Sequence, residues 1–136
     1  MKNFEKRYGE KEMKENFYIC NHCGNIVTKL KDSGVDIVCC GEKMCKLTAG
    51  LTDASHEKHV PVYKVDGNKV FVTVGAVEHP MTEEHFIEWV YLQTKNGSQI
   101  NYLKPFDKPQ TCFNICDNDK VEAVYAYCNL HSLWKA

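Results

Sequence analysis

The chain is predicted to be mainly β, an antiparallel sandwich or barrel preceded by a small cysteine-rich domain that needs metal to fold. Three observations predict it. From Leu51 onward at least six apolar runs alternate with short polar turns. Cysteines come in close pairs within a segment too small to fold unaided. Hydrophobic content of 43% and charged content of 26% lie in the globular range.

The 136 residues have room for one ordinary domain, or for a very small one joined to a modest one. A net charge of −1 gives no reason to expect nucleic acid or an anionic membrane as partner. No apolar run approaches the roughly 18 residues of a spanning helix. The opening residues MKNFEKRYGEKEMKEN are charged and lack the apolar core of a secretory signal. A cytoplasmic location is therefore expected. In that reducing compartment eight cysteines point to metal or redox chemistry rather than to a disulfide framework.

Residues 1–16 read as a charged extension without hydrophobic period. Residues 17–50 form the expected small domain, with strand-like pieces FYIC, NIVTKL and DIVCC separated by Gly24 and Gly34. Residues 51–136 form the expected β domain. VPVYKV and KVFVTV flank Asp66-Gly67-Asn68, and HFIEWVYLQT and SQINYLKPF flank Asn96-Gly97, which predicts two hairpins. TCFNIC and VEAVYAYCNL follow, separated by DNDK. Helix is scarce, with only HPMTEEH expected to close a single turn.

Cys20-Asn21-His22-Cys23-Gly24 is a C-x-x-C knuckle, and Cys39-Cys40-Gly41 supplies a second pair. Together Cys20, Cys23, Cys39 and Cys40 offer the four thiolates of a tetrahedral site. Successive side chains alternate along a strand, so adjacent cysteines serving one ion require a bend, which Gly41 permits. Spacing leaves zinc and iron equally open, since both bind thiolate. His22 is read as a solvated side chain of the knuckle.

The histidines sit at strand ends or in loops, where a sandwich can assemble a site. His59 precedes the first strong strand, His79 and His85 bracket Pro80–Glu84, and Cys128 and His131 lie where the last predicted strand gives way to a C-terminal loop. Four imidazoles and one thiolate exceed the four ligands of structural zinc. Such a set suits a six-coordinate metal with one open position, and a thiolate donates electron density toward what binds there. Taken singly, each of these residues reads as structural.

The motifs CNHCGNIV, CCGEKM, EKHVPV, VGAVEHPM, EHFIEWV and AYCNLHSLW, in this order, resemble those of the desulfoferrodoxins, two-iron superoxide reductases. The likeness runs from Phe17 to the C-terminus. It implies a desulforedoxin-like domain with iron on Cys20, Cys23, Cys39 and Cys40, followed by an immunoglobulin-like antiparallel β-sandwich with a catalytic iron. His59, His79, His85 and His131 match the equatorial ligands of that iron and Cys128 its axial thiolate. Glu57 and Lys58 match the family's glutamate and lysine beside the open position. The implied reaction is one-electron reduction of superoxide to hydrogen peroxide without oxygen release, in defence against oxidative stress. Lys58 would attract the anion, and Glu57 would help displace product. A rubredoxin-like electron donor and a homodimer are also implied. Zinc competes for both ligand sets in an expression host.

Cys45, Cys112 and Cys116 fall outside the ligand sets. Cys112 and Cys116 are read either as buried fillers or as exposed thiols. His56 is read as solvated or as a neighbour of the ligands. Ser132 stands where relatives commonly carry a glycine, which an ordinary backbone angle there would tolerate.

Overall fold

In the computed structural model, residues 16–52 and 54–136 are described. They divide into two compact units between Leu47 and Thr48. Apart from Asn16, the charged extension lies outside the described residues.

In the small unit β1 (Phe17–Ile19) pairs antiparallel with β2 (Ile26–Thr28) and with β5 (Cys45–Lys46). A separate ribbon joins β3 (Val38–Cys39) to β4 (Glu42–Lys43). The two-residue strands β4 and β5 are too short to leave a periodic signal in the sequence. Among the described residues of this unit, only the hydrophobic side chains of Phe17, Cys20 and Met44 are buried. Full burial of an apolar side chain contributes about 1.5–3 kcal/mol. Three such residues do not offset the ordering of some thirty, at roughly 1–2 kcal/mol each. A staple is required, and the cysteines are placed to provide it.

The larger unit opens with α1 (His56–His59), one turn closed by the Val60 N–H donating to the His56 carbonyl at 3.0 Å. Two sheets follow. β6 (Pro61–Asp66), β7 (Lys69–Val74) and β10 (Gln110–Asn114) form one, in the order β10-β7-β6. β8 (Ile87–Thr94), β9 (Ser98–Tyr102), β11 (Val121–Cys128) and β12 (Ser132–Lys135) form the other, in the order β12-β11-β8-β9. All pairings are antiparallel. In β7 alternate residues Val70, Val72 and Val74 point inward, the period of a strand with one solvated face. They meet Ile87, Val90 and Leu92 of β8, Phe113 of β10, and Val124, Ala126 and Cys128 of β11 in one core. Asn101 of β9 donates to the Thr111 hydroxyl at 2.8 Å, and Gln99 donates to the Asn114 carbonyl at 2.7 Å, lacing one edge of the sandwich.

Two local expectations are corrected. HPMTEEH forms no helix, because Thr82 closes that segment instead. Its N–H donates to the His85 carbonyl at 2.9 Å and its hydroxyl accepts from the His85 N–H at 3.1 Å. The C-terminal loop after His131 is β12, since Leu133 and Trp134 become buried by pairing beside β11.

Candidate metal centres

The sulfur atoms of Cys20, Cys23, Cys39 and Cys40 all lie within 4.8 Å of one another. The knuckle turns at Gly24, whose N–H donates to the Cys20 carbonyl at 2.9 Å. The vicinal pair is solved by a bend at both residues that follow β3. Cys40 has φ +53° and Gly41 φ +75°, so Cys40 itself enters the left-handed region that side-chain-bearing residues seldom adopt. That strain is expected where a structure overrides local preference to place functional atoms. Backbone N–H groups of Cys23 and His22 directed at Cys20 bring its thiol down from 9.0 to about 6. The crowding of Cys40 against Cys23 and Cys20 pushes its thiol up. Four thiols so close cannot all ionise without a cation among them, which is the electrostatic signature of a thiolate metal site. His22 is exposed, as expected of a solvated side chain. Cys45 is exposed too, its sulfur accepting from Asn21 Nδ2 at 3.1 Å.

In the larger unit α1, the turn after β7, the start of β8, and the β11–β12 hairpin converge. Donor atoms of His59, His79, His85 and Cys128 lie within 4.8 Å of one another. His131 joins through its Nδ1, 3.0 Å from His59 Nε2 and 3.8 Å from Cys128 Sγ. His59 and His79 are 3% and 2% exposed, whereas His85 and His131 are half-buried. The set is therefore closed on one side and reachable on the other.

Which nitrogens can serve as ligands follows from the carbonyls nearby. His59 Nδ1 lies 2.6 Å from the Ser55 carbonyl, and His79 Nδ1 lies 2.6 Å from the Pro80 carbonyl. A carbonyl only accepts, so each Nδ1 carries the proton and each Nε2 presents a lone pair. His79 Nε2 and His85 Nε2 are buried without any hydrogen-bond partner. Leaving such atoms unsatisfied costs about 1–3 kcal/mol each. A metal ion is the partner that satisfies them together. Burial holds His59 and His85 below their ordinary 6.5 and brings His79 down to about 4; the charge of Lys58 adds to the shift at His59 and His85. Neutral imidazoles are the ligand form. Burial pushes the Cys128 thiol up, opposed by the backbone N–H groups of His131 and Leu130 directed at its sulfur.

Glu57 and Lys58 are exposed on α1, immediately before the buried His59. His56 is exposed and rests edge-on against Trp134, with ring centroids 5.2 Å apart. Trp134 carries no ligand atom that would mark it in the sequence. Its ring lies 4.9 Å from that of His59, and its Nε1–H donates to the His131 carbonyl at 3.0 Å, so one buried indole braces two histidines of the set. Its only trace in the sequence was its place in the AYCNLHSLW motif. Cys112 and Cys116 are exposed thiols, not fillers. Ser132 has φ +64°, so its backbone angle is not ordinary. The hairpin needs a left-handed residue there to return the chain from His131 into β12.

Residues 51–136 match the family described as Desulfoferrodoxin, and residues 12–47 match its N-terminal domain. A desulfoferrodoxin of Clostridium acetobutylicum is 47% identical over 119 residues, covering 88% of this chain and 93% of the relative. One of Nitratidesulfovibrio vulgaris is 50% identical over the same length, with the same coverage. The crystal structure of the superoxide reductase from Treponema pallidum superposes with a TM-score of 0.77 at 35% identity, covering 90% of this chain and 98% of that one. The superoxide reductase (1Fe-SOR) from Giardia intestinalis has a TM-score of 0.51 at 37% identity, covering 59% and 95% respectively.

Proposed function

The chain belongs to the desulfoferrodoxin family, and from that membership we infer that it is a superoxide reductase. It converts superoxide to hydrogen peroxide with one electron and two protons, releases no oxygen, and so serves in defence against oxidative stress. The observation that carries this reading is the convergence of four imidazoles and one thiolate with buried, partnerless Nε2 atoms. Such a set exceeds what a structural zinc uses.

Both donor sets fit the two iron sites of desulfoferrodoxin. Cys20, Cys23, Cys39 and Cys40 would hold one iron, and His59, His79, His85, His131 and Cys128 the other. The second iron, when bound, supplies the electron by passing from the ferrous to the ferric state. The protein supplies the rest. His59 and His79 are fixed as Nε2 donors by the Ser55 and Pro80 carbonyls, so they need no proton loss or rotation to bind metal. The N–H groups of His131 and Leu130 stabilise the thiolate form of Cys128 in a buried setting. Lys58, exposed beside the set, gives an attractive field to an anion approaching a chain of net charge −1. Glu57 stands next to it, a carboxylate able to compete with the anionic product for the open side of the centre.

In this reading residues 17–50 are the iron-stapled small domain and residues 51–136 the catalytic sandwich. Their match to separate family domains and the division near Leu47 support it. The electron comes from a rubredoxin-like carrier, and the working form is a cytoplasmic homodimer. No helix among the described residues is long and apolar enough to cross a membrane. The test is anaerobic purification followed by metal analysis and pulsed generation of superoxide. Two irons per chain and stoichiometric peroxide without oxygen are expected. One zinc per chain and no visible absorption would refute the assignment.

A further inference from the structure

The turn that follows β7 carries more than a ligand. It runs from Gly75 to Glu78, and the His79 N–H closes it on the Val74 carbonyl at 3.3 Å. Gly75 is buried with φ +87°. A Cβ built on it would meet the Val77 carbonyl oxygen and would lie 2.7 Å from the Lys58 carbonyl and 2.8 Å from the Glu57 carbonyl. Two backbone oxygens of the exposed Glu57-Lys58 segment thus lie directly against the bare Cα of a residue in another element. The Val77 N–H completes the attachment by donating to the Glu57 carbonyl at 3.0 Å.

We propose that Gly75 is a positioning residue for the substrate-facing pair, the platform on which the Gly75–Val77 turn holds Glu57 and Lys58 at a set distance from the histidines. The proposal rests on the assignment of Glu57 and Lys58 to superoxide. The geometry supports it in two ways. α1 is a single turn with one backbone hydrogen bond and no side-chain hydrogen bond at its N-cap, so its own helical structure holds it only weakly. Its downstream residue His59 is buried and tied to Ser55, but the exposed side chains of Glu57 and Lys58 have no such tie in the helix itself. The turn also delivers His79. One short element therefore fixes a ligand and the groups that meet the anion, and moving it would change their spacing. A side chain at Gly75 would be strained by the positive φ and would press on backbone atoms, which cannot rotate aside as a side chain can.

The test is Gly75→Ala in the iron-loaded full chain. The amide of Val77 should exchange with solvent about tenfold faster, or more, while core amides of β11 stay protected. The rate of superoxide consumption should fall about tenfold, and its dependence on ionic strength should flatten toward that of Lys58→Ala. Iron content and the visible band of the thiolate-bound centre should be retained. A lowered melting temperature with an unchanged salt dependence would overturn the proposal, because a structural role alone predicts that result. If Gly75→Ala does not fold, Val77→Pro, in an exposed turn, removes the N–H that holds the Glu57 carbonyl, and the same flattening is expected. An unchanged salt dependence in that variant overturns the proposal equally. Failure of the wild-type chain to consume superoxide would refute the functional reading, whereas Val77 exchange still decides whether Gly75 holds the segment.

Discussion

Nε2 of His59 and Nδ1 of His131 face each other across 3.0 Å, although 72 residues separate them in the chain. The same His131 nitrogen lies 3.8 Å from Cys128 Sγ. The tight hairpin between β11 and β12 thus brings a thiol and an imidazole together, with the ring nitrogen nearer the backbone turned toward both Cys128 Sγ and His59 Nε2.

Cys128→Ser should abolish superoxide reduction while the chromophore of the four-cysteine site persists. Losing a direct ligand should cost at least the roughly hundredfold seen when a ligand's supporting partner is lost. Pulsed superoxide measurements beside visible spectra check this, and unchanged activity would remove Cys128 from the site.

Lys58→Ala should slow superoxide capture about tenfold at low salt, with the gap narrowing as ionic strength rises. A rate unaltered at low ionic strength would show that the Lys58 charge does not guide the anion.

Ser132→Gly should stabilise the larger unit. A left-handed angle costs a residue with a side chain roughly 1–2 kcal/mol, and glycine gives back part of that gain as about 0.4–1 kcal/mol of added freedom in the unfolded chain. A net gain of about 0.5–1 kcal/mol would appear as a rise of a few degrees in the thermal midpoint.

Much of this was legible in advance, and the exceptions have physical causes. Strands β6 to β11 announced themselves because Val70, Val72 and Val74 alternate and because Asn96-Gly97 punctuates a hairpin. The donor residues were legible as chemistry, but not as a site. Nothing in a lone His79 or Cys128 separates a ligand from a core residue, and only the order of motifs around them did so. The bend at the vicinal cysteines was legible at Gly41, but its extension into Cys40 was hidden, as was the Ser132 angle, because both residues occupy the left-handed region against their own preference, at the bidding of the metal pair and of the hairpin. Gly75 was hidden for the opposite reason, since what matters there is an atom that is missing.

Asp119 offers a test of the sandwich by pH. It accepts from the Thr94 hydroxyl at 2.7 Å and from the N–H groups of Lys120 at 2.9 Å and Asn96 at 3.1 Å. These bonds, the hydroxyl foremost, hold its carboxyl below the usual 3.8. A depressed carboxyl contributes stability that is fully present above its unfolded pKa and is lost as pH falls through the folded one. Asp119→Asn should therefore melt below the wild type at neutral pH, with the difference shrinking under acid. A difference independent of pH down to acid unfolding would contradict this role.

Removing metal should act unequally on the two units. Stripping the thiolate-bound ion should abolish amide protection in β1, β2 and β5, because Phe17, Cys20 and Met44 are too small a core. Strands β7, β8 and β11 should stay protected. Hydrogen exchange resolved by segment before and after chelation would decide it.

The partnerless nitrogens of His79 and His85 have a consequence for anyone who heats this protein. An ion that binds the folded site and not the unfolded chain adds about 1.4 kcal/mol for every tenfold rise of its free concentration above the dissociation constant. The melting temperature of the sandwich is then not a constant of the polypeptide. It reads out how much free iron the buffer, or the cell, contains.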